Sequence, residues 1–134
     1  MGPQLLALDV STGNWTQLAD MHQNRRWPAC LVYQGNLWVI GGYTGTSEYY
    51  NPDTNVWTEG PTFPEVDISN ILYGYAFEFN GSVHYLNNWT KKVYKLDLEN
   101  QAWIKEQEYG GNTYPRRHWL APPLVNPQLL GCKI

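Results

Sequence analysis

The sequence is poor in the features that mark membrane proteins, exported proteins and nucleic-acid-binding proteins. Every apolar run is much shorter than the roughly 18 residues that a membrane-spanning helix needs. The first residues lack the basic segment and apolar stretch that together form a secretory signal. The 9 Lys and Arg residues are outnumbered by 12 Asp and Glu, whereas a phosphate-binding surface needs concentrated basic residues. We therefore expect neither a membrane nor a nucleic acid as the partner.

Cysteine and histidine are also scarce, which argues against disulfide scaffolds and metal centres. The 2 cysteines, Cys30 and Cys132, are too few for a disulfide framework, so we expect thiols, with Cys30 in the core. The 3 histidines, His22, His84 and His118, lack the close spacing of metal ligands. The sequence therefore predicts no metal and no cofactor.

Aromatic and turn-forming residues are abundant instead. The 134 residues include 7 Trp and 10 Tyr, which favour pleated and half-buried strands. They also include 12 Gly and 9 Pro, which punctuate turns. No segment keeps the apolar period of about 3.6 residues for long enough to predict a helix. We expect an all-β chain with many short strands.

Three segments that end in Trp recur at a nearly constant spacing. Each reads as the end of a strand, a polar turn and a Trp that opens the next strand; the segments are 8–15, 50–57 and 96–103. Trp57 follows Trp15 by 42 residues, and Trp103 follows Trp57 by 46. A period of about 40–50 residues is typical of propeller blades.

Two further registers repeat with the same period. An aromatic residue, a tight polar-Gly turn and a strand, as in a β-hairpin, occur at 33–40 and again at 79–86. Arg25-Arg26-Trp27 returns two periods later as Arg116-Arg117-His118-Trp119. The strand-like segments of the two complete units are 29–33, 37–40, 47–50 and 56–59, then 74–79, 82–86, 92–97 and 102–105. Four strands in each period predict propeller blades.

This pattern resembles the kelch-repeat family. The resemblance rests on Gly41-Gly42 after a strand, on Tyr50 and Trp57 around a Pro-Asp turn, and on Arg25-Arg26 at the start of the unit. It implies a partial kelch-type β-propeller, with about two complete four-stranded antiparallel blades and parts of two more. The next unit departs from the pattern, because Asn87-Asn88 replaces the double Gly; Asn tolerates left-handed backbone, so we expect the turn to survive.

The resemblance divides the chain into a repeat array and a tail. The array covers 5–125 and the tail covers 126–134. Within the array, 5–20 ends one blade, 25–63 and 71–106 are complete blades, and 116–125 is the first strand of another. Because propellers close with about 4–8 blades, we expect a fragment, a partial gene product, or a chain that closes by self-association.

Several residues occupy repeated structural positions in this interpretation: Gly41, Gly42, Tyr50, Trp15, Trp57 and Trp103. We expect the Trp side chains to pack within or between blades. Asp9, Asp53, Asp97 and Glu99 fall at equivalent turn positions of the repeats, where the turn favours an Asx-type side chain that hydrogen-bonds its own backbone. Glu48, Glu65 and Asp67 lie in or near loops without an evident partner. The carboxylates therefore indicate structure rather than catalysis, and we predict no enzyme activity.

The candidate binding residues lie where one blade passes to the next and after the double Gly: Arg25, Arg26, Trp27, Tyr43, Arg116, Arg117 and His118. The resemblance implies that these segments form one rim, where arginines resemble those that grip acidic peptides in kelch-type substrate receptors. We expect charge reversal of Arg25 and Arg116 to abolish capture of a partner without lowering stability. The alternative is that these arginines pair with acidic residues of neighbouring blades.

The resemblance implies a protein-interaction module, whose partner is a protein or an acidic peptide segment. Its most specific form is the substrate-recognition part of a cullin-type ubiquitin ligase adaptor in the cytoplasm. The alternatives are a fragment of a propeller enzyme or sugar-binding protein, and an actin- or matrix-associated kelch protein. Three glycosylation sequons, at Asn14, Asn80 and Asn88, keep an extracellular location open.

Overall fold

The computed structural model describes residues 2–64, 74–87 and 90–108, and these residues form three antiparallel sheets. The first blade contains β1 (Leu6–Leu8) and β2 (Trp15–Gln17). The second contains β3 (Ala29–Tyr33), β4 (Asn36–Ile40), β5 (Ser47–Asn51) and β6 (Val56–Glu59). The third contains β7 (Gly74–Phe79), β8 (Ser82–Asn87), β9 (Lys92–Asp97) and β10 (Ala102–Glu108). Strands pair in chain order within each blade, which confirms the predicted all-β, blade-like class.

No helix long and apolar enough to cross a membrane occurs among the residues described above.

Tight hairpins join the first two strands of each four-stranded blade. Gln34 and Gly35 connect β3 to β4 with φ angles of 48° and 76°, and Asn80 and Gly81 connect β7 to β8 with 49° and 75°. Two consecutive positive-φ residues define a type I′ turn, whose twist matches that of the flanking strands. The repeated polar-Gly dipeptide thus fixes the same register, Tyr33 opposite Asn36 and Phe79 opposite Ser82, in both blades.

The last two strands of each blade are joined by a turn that also repeats. Asp9 Oδ1 accepts a hydrogen bond from the Ser11 amide at 2.8 Å, and Asp97 Oδ1 accepts one from the Asn100 amide at 3.0 Å. The side-chain hydrogen bonds from Ser11 Oγ and Asn100 Nδ2, and after them these amide bonds, lower the pKa of the two carboxyls. In the second blade this position belongs to Asn51, whose Oδ1 accepts from the amide of residue 53 at 2.9 Å. Asp53 was expected at the position of Asp9 and Asp97, and this prediction is wrong. Asn51, two residues earlier, occupies that position.

Two apolar layers hold the blades together. The layer between the first and second blades includes Met21, Val39 and Trp57. The layer between the second and third blades is richer in aromatic residues and is centred on Phe63. Its ring lies 4.8 Å from Trp103 in a stacked arrangement, within the range at which aromatic pairs add stability beyond the area they bury.

A tryptophan hydrogen bond repeats across both layers. The Trp57 indole Nε1 donates to the Ala19 carbonyl at 2.7 Å, and the Trp103 indole Nε1 donates to the Pro61 carbonyl at 3.1 Å. Each accepting carbonyl lies four residues after the Trp of the preceding blade. Each blade is therefore bonded to the blade before it at an equivalent point.

Trp15 departs from the expected packing. Its side chain is 65% exposed, whereas that of Trp57 is 5% exposed. The face of the first blade that carries Leu8 and Trp15 corresponds to the face of the second blade that carries Tyr50 and Trp57. No described residue supplies the preceding blade on which Trp15 would pack.

The double glycine directly follows β4 in the second blade. Gly41 and Gly42 have φ angles of 71° and 83°, and a Cβ on Gly42 would lie 3.0 Å from Pro28 Cβ. At the equivalent point of the third blade, Asn87 ends β8 and is not among the positive-φ residues.

Cys30 differs from its expected state. It lies in β3, half-buried beside the first apolar layer. Its sulfur is in a disulfide bond, so the prediction of a thiol is wrong.

The repeated indole bond can be tested with Trp57→Phe and Trp103→Phe, which keep an aromatic ring but remove the donor. Trp57→Phe leaves the Ala19 carbonyl without a described donor, so we expect the free energy of unfolding in urea to fall by about 1–3 kcal/mol. Trp103→Phe should cost less, because the Pro61 carbonyl still accepts from Ser47 Oγ at 2.7 Å. Trp15→Phe is the matched control, since the exposed Trp15 indole donates to no described residue, and it should change stability by less than about 0.5 kcal/mol. Equal effects at all three positions would contradict the repeated bond.

Candidate functional site

Two connections meet at one end of the second blade. Residue 29 opens β3 opposite residue 40, which closes β4, so the segment before β3 and the loop after β4 emerge side by side. The Arg26 amide donates to the Gly42 carbonyl at 3.1 Å and joins the two segments. We call this end, formed by residues 18–28 and 41–46, the rim.

Three exposed side chains form a cluster on the rim. The Trp27 and Tyr43 rings lie 6.2 Å apart and are 46% and 41% exposed. The Arg26 guanidinium carbon lies 4.5 Å from the Trp27 ring centroid and 5.9 Å from that of Tyr43, within the range of a cation–π interaction. We call Arg26, Trp27 and Tyr43 the rim cluster. All three were predicted as binding residues, and the structure brings them together.

The backbone of the rim cluster is strained. Trp27 has a φ of 54° and Tyr43 a φ of 68°. Bulky residues rarely adopt the left-handed region, because their Cβ crowds the backbone. Each such residue costs about 1–3 kcal/mol, and such strain concentrates at functional sites. Burial of somewhat more than half of each side chain offsets part of this cost.

A buried arginine beneath the cluster fixes the loop after β4. Arg25 is only 3% exposed, and its Nε donates to Glu48 Oε1 at 2.9 Å. Its Nη1 donates to the Gly41 carbonyl at 2.7 Å, to Thr44 Oγ1 at 2.8 Å and to the Thr46 carbonyl at 3.0 Å. Its Nη2 donates to Thr46 Oγ1 at 2.9 Å. These bonds tie one rim segment to the other directly below the rim cluster.

Glu48 balances the charge of this network. Its side chain is 1% exposed and lies in β5. Burial lowers the pKa of the Arg25 guanidinium, and the hydrogen bond and charge of Glu48 oppose that shift. Glu48 Oε2 also accepts from the backbone N and the ring Nδ1 of His22, both at 3.0 Å. The expectation that Glu48 lacks a partner is therefore wrong.

The structure corrects one predicted contact. Arg25 lies inside the blade and not on the surface, because its guanidinium is used by Glu48 and the loop. For Arg25 the structure shows the alternative, an ion pair with an acidic residue. That residue, Glu48, lies in the same blade and not in a neighbouring one. Charge reversal of Arg25 would place two carboxylates together and is not a clean test of binding. Arg116, Arg117 and His118 lie outside the described residues.

The groups of the rim can be compared with what metal binding and nucleophilic catalysis require. Within the described ranges, no three His, Cys, Asp or Glu residues are grouped so as to hold a metal ion. His22 and Glu48 form an imidazole–carboxylate pair, but no described hydroxyl or thiol lies within hydrogen-bond distance of the ring as a nucleophile. His22 was not predicted as a functional residue, because its partner Glu48 lies 26 residues away in the sequence.

Comparison with known proteins identifies the repeat. The chain matches no family model. It is 30% identical over 113 residues to the F-box/kelch-repeat protein SKIP30 of Arabidopsis thaliana, covering 80% of this chain and 31% of that protein. It is 31% identical over 78 residues to Kelch repeat protein M-T8 of Myxoma virus, covering 52% of this chain and 15% of that protein.

A third relative is Kelch repeat and BTB domain-containing protein 12 of Danio rerio, 30% identical over 77 residues and covering 48% of this chain. The chain spans 31% or less of the length of these three relatives. The repeated Trp register, the four-stranded blades and these relatives agree, and the chain belongs to the kelch-repeat family.

Proposed function

We propose that the chain is a kelch-type protein-interaction module that captures a partner segment at the rim cluster. The observation that carries this proposal is the Arg26 guanidinium, which rests on Trp27 but makes no hydrogen bond or ion pair with any described residue. Arg and Trp are enriched among the residues that dominate binding energy at interfaces. The strain in the backbone of Trp27 and Tyr43 supports the same function.

The partner segment is acidic in this proposal. The two aromatic rings lie against the Arg26 guanidinium, which leaves its N–H donors for a ligand. That planar fork of donors matches a carboxylate, which can accept two parallel hydrogen bonds. Stacking on the rings also restricts the guanidinium before the partner arrives, which lowers the entropic cost of binding.

We further propose that the whole protein is the substrate receptor of a cullin-type ubiquitin ligase adaptor in the cytoplasm. The relatives support this proposal, since their names join kelch repeats to an F-box in Arabidopsis thaliana and to a BTB domain in Danio rerio. The rim would supply the recognition half of such a receptor.

Charge reversal of Arg26 tests the rim directly. Arg26→Glu should weaken binding of a fluorescein-labelled (Glu-Gly)6 peptide by about fivefold or more, measured by fluorescence polarisation. Its thermal unfolding should remain unchanged, because the side chain is exposed. Lys105→Glu, an exposed change of the same charge on β10, is the matched control and should retain binding. A wild-type chain that binds (Gln-Gly)6 as well as (Glu-Gly)6 would contradict the acidic partner.

Trp27→Gly separates recognition from stability. Glycine adopts positive φ without strain, so the loss of ring contacts is offset by relief of the backbone. We expect an unfolding temperature equal to or above that of the wild type, with peptide binding reduced. A strong loss of stability would show that Trp27 is retained for packing.

The buried ion pair sets the geometry of the rim, and Glu48→Gln tests this dependence. The change leaves the Arg25 charge buried without its counter-charge, which should lower the free energy of unfolding by about 3–5 kcal/mol. Glu59→Gln is the matched control: Glu59 lies opposite Glu48 on β6 but is exposed, so the change should alter stability by less than about 0.5 kcal/mol. Similar urea midpoints for the two variants would contradict a structural role for the pair.

A further inference from the structure

Glu48 fixes which nitrogen of His22 carries the proton. Its Oε1 accepts from Arg25 Nε at 2.9 Å, and its Oε2 faces His22 Nδ1 at 3.0 Å. An ionised carboxylate paired with arginine can only accept hydrogen bonds, so His22 Nδ1 must be the donor. In the neutral imidazole the other nitrogen, Nε2, then carries a lone pair and is an acceptor.

The acceptor end of His22 is presented to solvent. The side chain is 48% exposed, and Nε2 makes no hydrogen bond with any described residue. The other end is held at two points, because Glu48 Oε2 accepts from both the backbone N and the ring Nδ1 of His22. A side chain fixed in this way loses little further freedom when a ligand binds.

His22 belongs to the same rim as the cluster. It lies four residues before Arg26 on the segment that leads into β3, and Arg25 between them is bonded to the same Glu48. A recess beside His22 is also lined by Gln23, Thr46 and Glu59. The charged groups that face the recess are Glu48, Glu59 and the buried Arg25.

We propose that His22 is a second recognition group of the rim, and that its Nε2 accepts a hydrogen bond from a serine or threonine hydroxyl of the partner. This inference rests on the proposed function, because the same segment must place a carboxylate on Arg26. The charges of Arg25 and Glu48 balance each other, and the Arg26 cation on the same rim balances the Glu59 carboxylate, so a neutral hydroxyl fits better than a lysine ammonium, which would add a net charge. The partner is therefore an acidic segment with a hydroxyl residue close to its carboxylate.

The test selects peptides on the full-length chain from a dodecapeptide phage library that samples Glu, Gln, Ser, Ala, Lys and Gly at each position. We expect enrichment of Glu at one position and Ser at another. A selected peptide is then synthesised with Ser, Ala or O-methylserine at the second position. O-methylserine keeps an oxygen acceptor but has no donor, so it should bind as weakly as Ala, about two- to tenfold below Ser.

Variants assign the hydroxyl contact to His22. His22→Phe should remove the preference for Ser while keeping that for Glu, and Arg26→Gln should do the reverse. His22→Gln should restore part of the Ser preference, because its amide can donate to Glu48 while its carbonyl accepts. Circular dichroism identifies any variant that is not folded. The O-methylserine comparison is made on the wild-type chain, so it does not depend on the folding of a variant.

The two proposals fail in different ways. No enrichment of Glu on the wild-type chain would overturn the proposed function, and this inference with it. Enrichment of Glu without Ser would overturn the role of His22 alone. Binding of O-methylserine as tight as that of Ser, or a Ser preference that survives in His22→Phe, would do the same.

Discussion

The ion pair between Arg25 and Glu48 is the interaction on which the rim depends. A buried guanidinium needs both a counter-charge and acceptors for its other N–H groups. Glu48 supplies the charge, and the loop after β4 supplies the acceptors. Because those acceptors include loop carbonyls, satisfying Arg25 also sets the path of the loop that carries Tyr43. The exposed rim cluster is thus positioned by a charged side chain that is buried beneath it.

The sequence predicted local features well, because short-range physics determines them. The type I′ turns at 34–35 and 80–81 need two positive-φ residues, and a polar residue followed by Gly is a direct signal for them. The strands follow from those turns and from the β-branched and aromatic residues between them. In the second blade the residue that accepts the turn's hydrogen bond was misplaced by two positions. Asn51 is that acceptor, whereas Asp is the acceptor in the other blades.

The long-range features could not be predicted in the same way. Arg25 and Arg26 are adjacent and chemically identical, yet one is buried and the other exposed. Only the fold brings Glu48, 23 residues away, beneath the first of them. One signal was available, because Glu48 lies two positions before Tyr50 on the same strand and therefore shares its face, where a buried carboxylate needs a cation. The exposure of Trp15 is a similar case, since burial at that position depends on a neighbouring blade.

The tryptophan bonds between blades also have a direction along the chain. Each indole donates to a carbonyl of the blade that precedes it in sequence, never of the blade that follows. A ribosome makes the acceptor first, so each emerging blade meets a surface that is already formed. Arrays whose units contact only their neighbours can grow by such stepwise addition. The two indole bonds thus donate against the direction of synthesis, whereas the Tyr33 hydroxyl donates the other way, to the Gly81 carbonyl of the following blade at 2.7 Å, so adjacent blades are joined by donors from both sides.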